Sequence, residues 1–315
     1  MHCVRFILNI KIEGIIMNLL VVGSVALDTV ETPYGKVEKA LGGSAVYFSV
    51  SASYFTKVGV VAVIGQDFPE EHVQFLKSRN IDLRGLRREP GLTFHWRGRY
   101  SSNLNEAETL DTQLNVFEIF HPLIPEEYRE AALVFLANID PELQRNVLEQ
   151  VTHPQCTICD TMNFWIGGKL RELKETLQRV DILIINEGEV RQISQEYNLV
   201  RAYQKIASYG PRILVVKQGS YGALLFTPSS IFSAPAYPLE KVLDPTGAGD
   251  SFAGGFTGYL ARSQKISEDE LRRAVIYGSV MASFAVEDFS LERLKKLTLK
   301  EIEERFAAFR RLTQF

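Results

Sequence analysis

Short apolar runs rich in Val, Ile and Leu recur along the chain: LLVVGSVAL (19–27), VGVVAVIG (58–65), ALVFLANI (132–139), TICD (157–160), DILIIN (181–186) and RILVVKQG (212–219). Continuous runs of this kind, without polar alternation, predict strands buried on both faces, as in a parallel sheet. Between them, stretches such as PELQRNVLEQV and RELKETLQRV repeat apolar residues at helical spacing and predict helices that cover the sheet. The pattern is that of an open α/β fold, in which ligands gather beyond the carboxyl ends of the strands. Asp28, Asn138, Asp160, Asn186, Lys217 and the loop 244–250 all fall at such ends.

One region breaks this period. In TFHWRGRY (93–100), Thr93, His95, Arg97 and Arg99 alternate with Phe94, Trp96 and Tyr100, and AETLDTQL (107–114) can return as a second strand. That predicts a hairpin outside the main sheet, and the segment that begins TVETPYGK at residue 29 adds strands to it. We therefore expect a small antiparallel β lid from segments near 29–41 and 91–115. No repeat or Pro/Gly-rich linker divides the chain, so residues 17–315 read as one large domain with a lid. Residues 1–16 read as an N-terminal extension. Lys11 and Glu13 interrupt its apolar run, which is too short to span a membrane and lacks a small-residue cleavage site.

Composition narrows the function classes. With 46% hydrophobic and 23% charged residues in 315, the chain has ample material for a globular core. A net charge of -3 leaves no electrostatic footprint for nucleic acid or an anionic membrane, so small-molecule substrates are expected. Three cysteines are too few for a disulfide framework, which fits a cytoplasmic location. Cys156 and Cys159, three apart on an expected strand, point to opposite faces and do not make a metal pair.

The stretch LDPTGAGDSFAGGF (243–256) carries the candidate chemistry. Its glycines let backbone N–H groups turn toward an anion at the start of a helix. A carboxylate in that setting, Asp250, either caps the helix or does chemistry. No Gly-Lys-Ser/Thr follows, so this is not a P-loop, and Phe252 occupies the third glycine position of a dinucleotide fingerprint. VVGSVALD likewise lacks that fingerprint after the first strand, which disfavours a nicotinamide enzyme.

With ALGGSAVYFSVSAS and VAVIGQDF upstream, then INEGEV and VVKQGSYGA, this stretch closely resembles the signatures of the ribokinase-like, or PfkB, family of carbohydrate and nucleoside kinases, in order and over most of the chain. The resemblance implies an open, mostly parallel sheet flanked by helices, and ATP-dependent phosphorylation of a hydroxyl on a small sugar or sugar-like acceptor. By position, Asp250 matches the general base, and Gly247, Ala248 and Gly249 the backbone anion hole. Asn186, Glu189, Lys217, Gly219, Gly222, Asp244 and Thr246 match the nucleotide side. There Glu189 would organise Mg²⁺ indirectly, through water, and Asp244 could equally fix the turn as an Asx motif. For Asn186 and Glu189 the residues themselves also fit a helix cap with a first-turn acid. Asp28, Gly42 and Gly43 match the acceptor side. Tyr47 stands where the family often has Asn, so the acceptor pocket is altered, and fructose-type, ribose-type and nucleoside acceptors stay open. The absence of a basic cluster around Asp28, Gly42 and Gly43 favours an unphosphorylated acceptor. Two other readings are a nucleoside kinase of the same family and a non-catalytic binding protein on the same fold; a retained Asp250 and anion hole argue against the second. Monovalent-cation activation and a homodimer paired through the lids occur in the family and stay open.

Overall fold

The computed structural model describes residues 18–104 and 107–314; the expected extension at 1–16 lies outside them. The strands are β1 (Leu19–Val22), β2 (Ala26–Thr32), β3 (Gly35–Gly42), β4 (Val58–Ile64), β5 (Ile81–Arg88), β6 (Phe94–Tyr100), β7 (Ala107–Gln113), β8 (Leu133–Leu136), β9 (Cys156–Cys159), β10 (Ile182–Asn186), β11 (Ile213–Lys217), β12 (Ala223–Phe226) and β13 (Ile231–Ala234). Nine of them form one sheet in the order β13-β12-β11-β10-β9-β8-β1-β4-β5. From β5 to β11 every pairing is parallel, and the antiparallel strands β12 and β13 extend one edge.

Alternation along each strand divides the core between the two faces of this sheet. Leu19, Val21, Val60, Phe135, Ile184 and Val215 pack on one side, against the helices Ser44–Ala52, Ala248–Ser263 and Glu268–Ala285. Leu20, Val22, Val134, Leu136, Ile185 and Val216 pack on the other, against helices that include Pro141–Gln150 and Glu187–Ser194. Cys156 joins the first cluster and Cys159 the second, so the CxxC pair is two buried thiols divided by the sheet.

The run 19–27, expected as one strand, is two. The chain leaves the main sheet after Val22 and enters the lid at Ala26, because Leu27 and Val30 are buried in a second sheet rather than the first. That sheet has the order β3-β2-β6-β7. It consists of two antiparallel hairpins joined edge to edge by a parallel pairing of β2 with β6. The IGQD element fastens this lid to the body. Asp67 Oδ1 accepts hydrogen bonds from the Thr93 N–H and from Thr93 Oγ1, each at 2.7 Å, where β6 begins.

Candidate active site

The turn 244–250 is built by its own side chains. Asp244 is buried; its Oδ1 accepts the Thr246 N–H at 2.9 Å, and its Oδ2 accepts the Ser290 N–H at 2.9 Å. Asp244 thus fixes the turn as an Asx motif and ties it to the loop after helix Glu268–Ala285. Gly247 is the helix N-cap with φ 73°, and a Cβ there would overlap the Tyr47 ring, so both the backbone and the packing require glycine. No side chain caps this helix, so Asp250, in its first turn, is not its cap. Among the described residues nothing hydrogen-bonds the Asp250 carboxylate. The Ala248 N–H, expected in the anion hole, instead closes a turn on the Pro245 carbonyl at 3.2 Å. Facing that end of the helix are the N–H groups of Gly249 and Asp250, which the helix itself leaves without a carbonyl.

Asp28 approaches this turn from β2. It is 5% exposed, and its Oδ2 accepts the Gly43 N–H at 3.3 Å. A Cβ on Gly42 would fall on the Asp28 carboxylate, so Gly42 makes room for that carboxylate rather than directly for a sugar. Tyr47 is buried among Asp28, Asp244 and Ser290. From the lid, the Tyr100 hydroxyl accepts a hydrogen bond from Thr246 Oγ1 at 3.3 Å. Ser290 Oγ donates to the Leu41 carbonyl at 2.8 Å, which links the Asp244 loop to the strand end that carries Gly42. Burial pushes Asp28 up to about 7, reinforced by the carboxylates of Asp244 and Asp250 and opposed by the Gly43 N–H. Asp250 likewise rises to about 7 through burial and the nearby Asp160 carboxylate, against the pull of Lys217.

The other side of the turn faces the ends of β9, β10 and β11. Asn186 caps helix Glu187–Ser194 in a reciprocal capping box: its Oδ1 accepts the Glu189 N–H at 2.9 Å, and Glu189 Oε2 accepts the Asn186 N–H at 2.8 Å. The cap expected from the residues is therefore present, and it holds the buried Glu189 side chain in place. Burial, then the Asp160 charge, raises Glu189 to about 7. Lys217 does not lie along the glycine turn that follows it. Its Nζ turns inward to Asp160 Oδ2, 3.2 Å away, and would be 3.1 Å from a Cβ on Gly249. Burial works against its charge, but Asp160, Glu189 and Asp250 outweigh burial and hold it as an ammonium. Gly219 and Gly222, both at positive φ, shape the exposed turn into β12; a Cβ on Gly222 would strike the Ala234 carbonyl. Asp160 and Ser290 had no role in the sequence reading. The only signal for Asp160 was its place at a strand end, and Ser290 had none.

Among the described residues no group of three or more His, Cys, Asp or Glu side chains could hold a metal ion by itself. Mg²⁺ keeps most of its waters and needs only one or two carboxylates beside substrate phosphates, so the buried Glu189 carboxylate fits a hydrated Mg²⁺. No helix among the described residues is long and apolar enough to cross a membrane.

Comparison with known proteins fits this geometry. The sequence model of pfkB family carbohydrate kinases matches residues 17–295. The cytidine kinase of Thermococcus kodakarensis is 32% identical over 260 residues, 80% of this chain and 91% of that protein. Among solved structures, the Methanocaldococcus jannaschii nucleoside kinase, an archaeal member of the ribokinase family, aligns with a TM-score of 0.75 at 20% identity, covering 94% of this chain and 100% of its own. An E. coli chain solved in complex with ATP and Mg²⁺ aligns with a TM-score of 0.76 at 18% identity, covering 93% and 100%. These two structural likenesses carry the fold.

Proposed function

This chain belongs to the pfkB family of carbohydrate kinases, phosphotransferases that act on hydroxyl groups, and from that premise we propose that its acceptor is an unphosphorylated ribonucleoside, phosphorylated from MgATP with Asp250 as general base. The observation that carries the acceptor class is the charge around Asp28. The charged groups that act on it are the carboxylates of Asp244 and Asp250, which repel a phosphorylated sugar and suit a neutral polyol. An ionised Asp28 can accept two hydroxyl hydrogen bonds at once, the arrangement that a ribose diol offers. Trp96 is the register partner of Asp28 across β2 and β6, and its indole lies over Gly98 and bonds Thr109 on β7, so the lid carries a flat aromatic surface. The 32% identity to a cytidine kinase favours a nucleoside over a free sugar.

In the reaction the acceptor oxygen forms a bond to the γ-phosphorus while the bond from that phosphorus to the bridging oxygen of ATP breaks. The hydroxyl proton passes to Asp250, and ADP leaves. The N–H groups at the start of helix Ala248–Ser263 stabilise the charge on the migrating phosphoryl group. Glu189, held by Asn186, would hold Mg²⁺ through water, and the ion supplies neutralisation of the triphosphate charge.

Acceptor-dependent ADP release, measured with MgATP against cytidine, uridine, adenosine, inosine, ribose, fructose and ribose phosphates, tests this reading. The expected result is the highest kcat/KM with a nucleoside. A preference for a phosphorylated sugar, or for free ribose or fructose over every nucleoside, overturns it.

A further inference from the structure

We infer that Asp160 is a positioning residue for phosphoryl transfer: it holds the Lys217 ammonium against the first turn of helix Ala248–Ser263, where Lys217 acts on the migrating phosphoryl group. The inference rests on the kinase reading above and extends it to a side chain from β11 and one that directly follows β9, on either side of β10.

Three contacts fix Asp160. Its Oδ2 meets Lys217 Nζ at 3.2 Å, its Oδ1 accepts the Thr161 N–H at 2.8 Å, and its carbonyl accepts Gln144 Nε2 at 2.9 Å. Asp160 is buried and Lys217 largely so, with side chains 6% and 17% exposed. A buried pair of this kind gains little stability over apolar packing, because desolvation offsets the attraction. Stability alone therefore does not account for it.

Position does. Gly249 leaves the space that the ammonium occupies, since any side chain there would press on Lys217 Nζ. The lysine thus reaches the same helix start whose N–H groups face the phosphoryl path, within the field of the proposed base Asp250. Glu189 also bears on Lys217, so the ammonium feels both the residue assigned to Mg²⁺ and the proposed base. A lysine supplies a compact point charge on a flexible stem, which can follow a phosphoryl group as it moves from donor to acceptor. Without Asp160 the stem has no anchor, and the charge is free to settle on Glu189 or Asp250 instead.

The test is a double-mutant cycle read in kcat, with MgADP affinity measured separately. Lys217→Met lowers kcat by about 10²- to 10³-fold, the usual effect of losing one transition-state charge donor, and changes MgADP affinity far less. Asp160→Asn alone lowers kcat by about tenfold or more, but in the Lys217→Met background it lowers it by less than about twofold, because the two act as one unit. Lys217→Gln keeps a polar tip and gives the same result if Met at this buried position prevents folding. A Lys217→Met or Lys217→Gln protein with kcat within about twofold of wild type overturns the role of Lys217 while the kinase reading stands. An equal Asp160→Asn effect with and without Lys217 overturns the positioning role. Wild-type protein that releases no ADP with any acceptor overturns both readings.

Discussion

Asp28 and Asp250 are carboxylic acids that burial brings to titrate near neutrality, and their protonation has opposite consequences for activity and for folding. A general base works only when ionised, so kcat/KM should rise with pH through about 7 and level off above it. Glu189 titrates in the same range, so the apparent value belongs to the group of carboxylates as a whole. A kcat/KM that stays flat between about pH 5.5 and 8.5 contradicts the assignment. For folding the sign reverses. Asp28 rises from 3.8 to about 7 on folding, so between those values the unfolded chain ionises while the folded one does not, and wild type loses stability as pH climbs through that window. Asp28→Asn escapes this loss. Its stability relative to wild type should improve by about 4 kcal/mol between pH ~4 and pH ~8, measured by urea unfolding. A pH-independent difference means that Asp28 is not held in its protonated form. Asp250 and Gly247 were legible in the sequence because the turn that gives them meaning is local. Asp160 and Ser290 were not, because their partners Lys217 and Asp244 lie 57 and 46 residues away and meet them only across the folded sheet and its loops.

The lid shows how far alternation carries at the level of elements. The period-two pattern of 93–100 and the turn residues after 29 are local signals, and both hairpins are present. The parallel joining of β2 to β6 was hidden, because nothing in either strand names its neighbour. The same limit explains why the run 19–27 read as one strand: hydrophobicity marks burial but does not say in which sheet. Asn186 illustrates a motif with two meanings, since the capping box accounts for the local geometry and the resemblance alone supplies the nucleotide role. The lid reading predicts movement. In a Trp165→Phe protein, Trp96 is the single tryptophan and lies in register with Asp28. Its emission should shift when acceptor and nucleotide are bound together, as closure removes water from the site. Emission that neither ligand changes, alone or together, would leave this sheet a fixed wall rather than a lid.

For the whole molecule, the layering follows from simple physics: runs without polar alternation became parallel strands buried on both faces, with helices on each side. That arrangement places the ends of β1, β8, β9, β10 and β11 along one edge, with Asp28 in the lid strand β2 and Lys217 at the end of β11. The helix Ala248–Ser263 packs on one face of this sheet and starts at the turn that carries Asp250, so the proposed reaction brings donor and acceptor to one carboxylate. Because Gly247 is the N-cap and no side chain caps the helix, Asp250→Asn removes the proton acceptor without removing a cap. The most direct measurement is therefore the kcat of folded Asp250→Asn protein, with MgATP and the best acceptor, beside its affinity for MgATP. The account predicts that kcat falls by about 10² to 10⁴ while MgATP binding is kept. A folded Asp250→Asn protein that turns over at nearly the wild-type rate would contradict it.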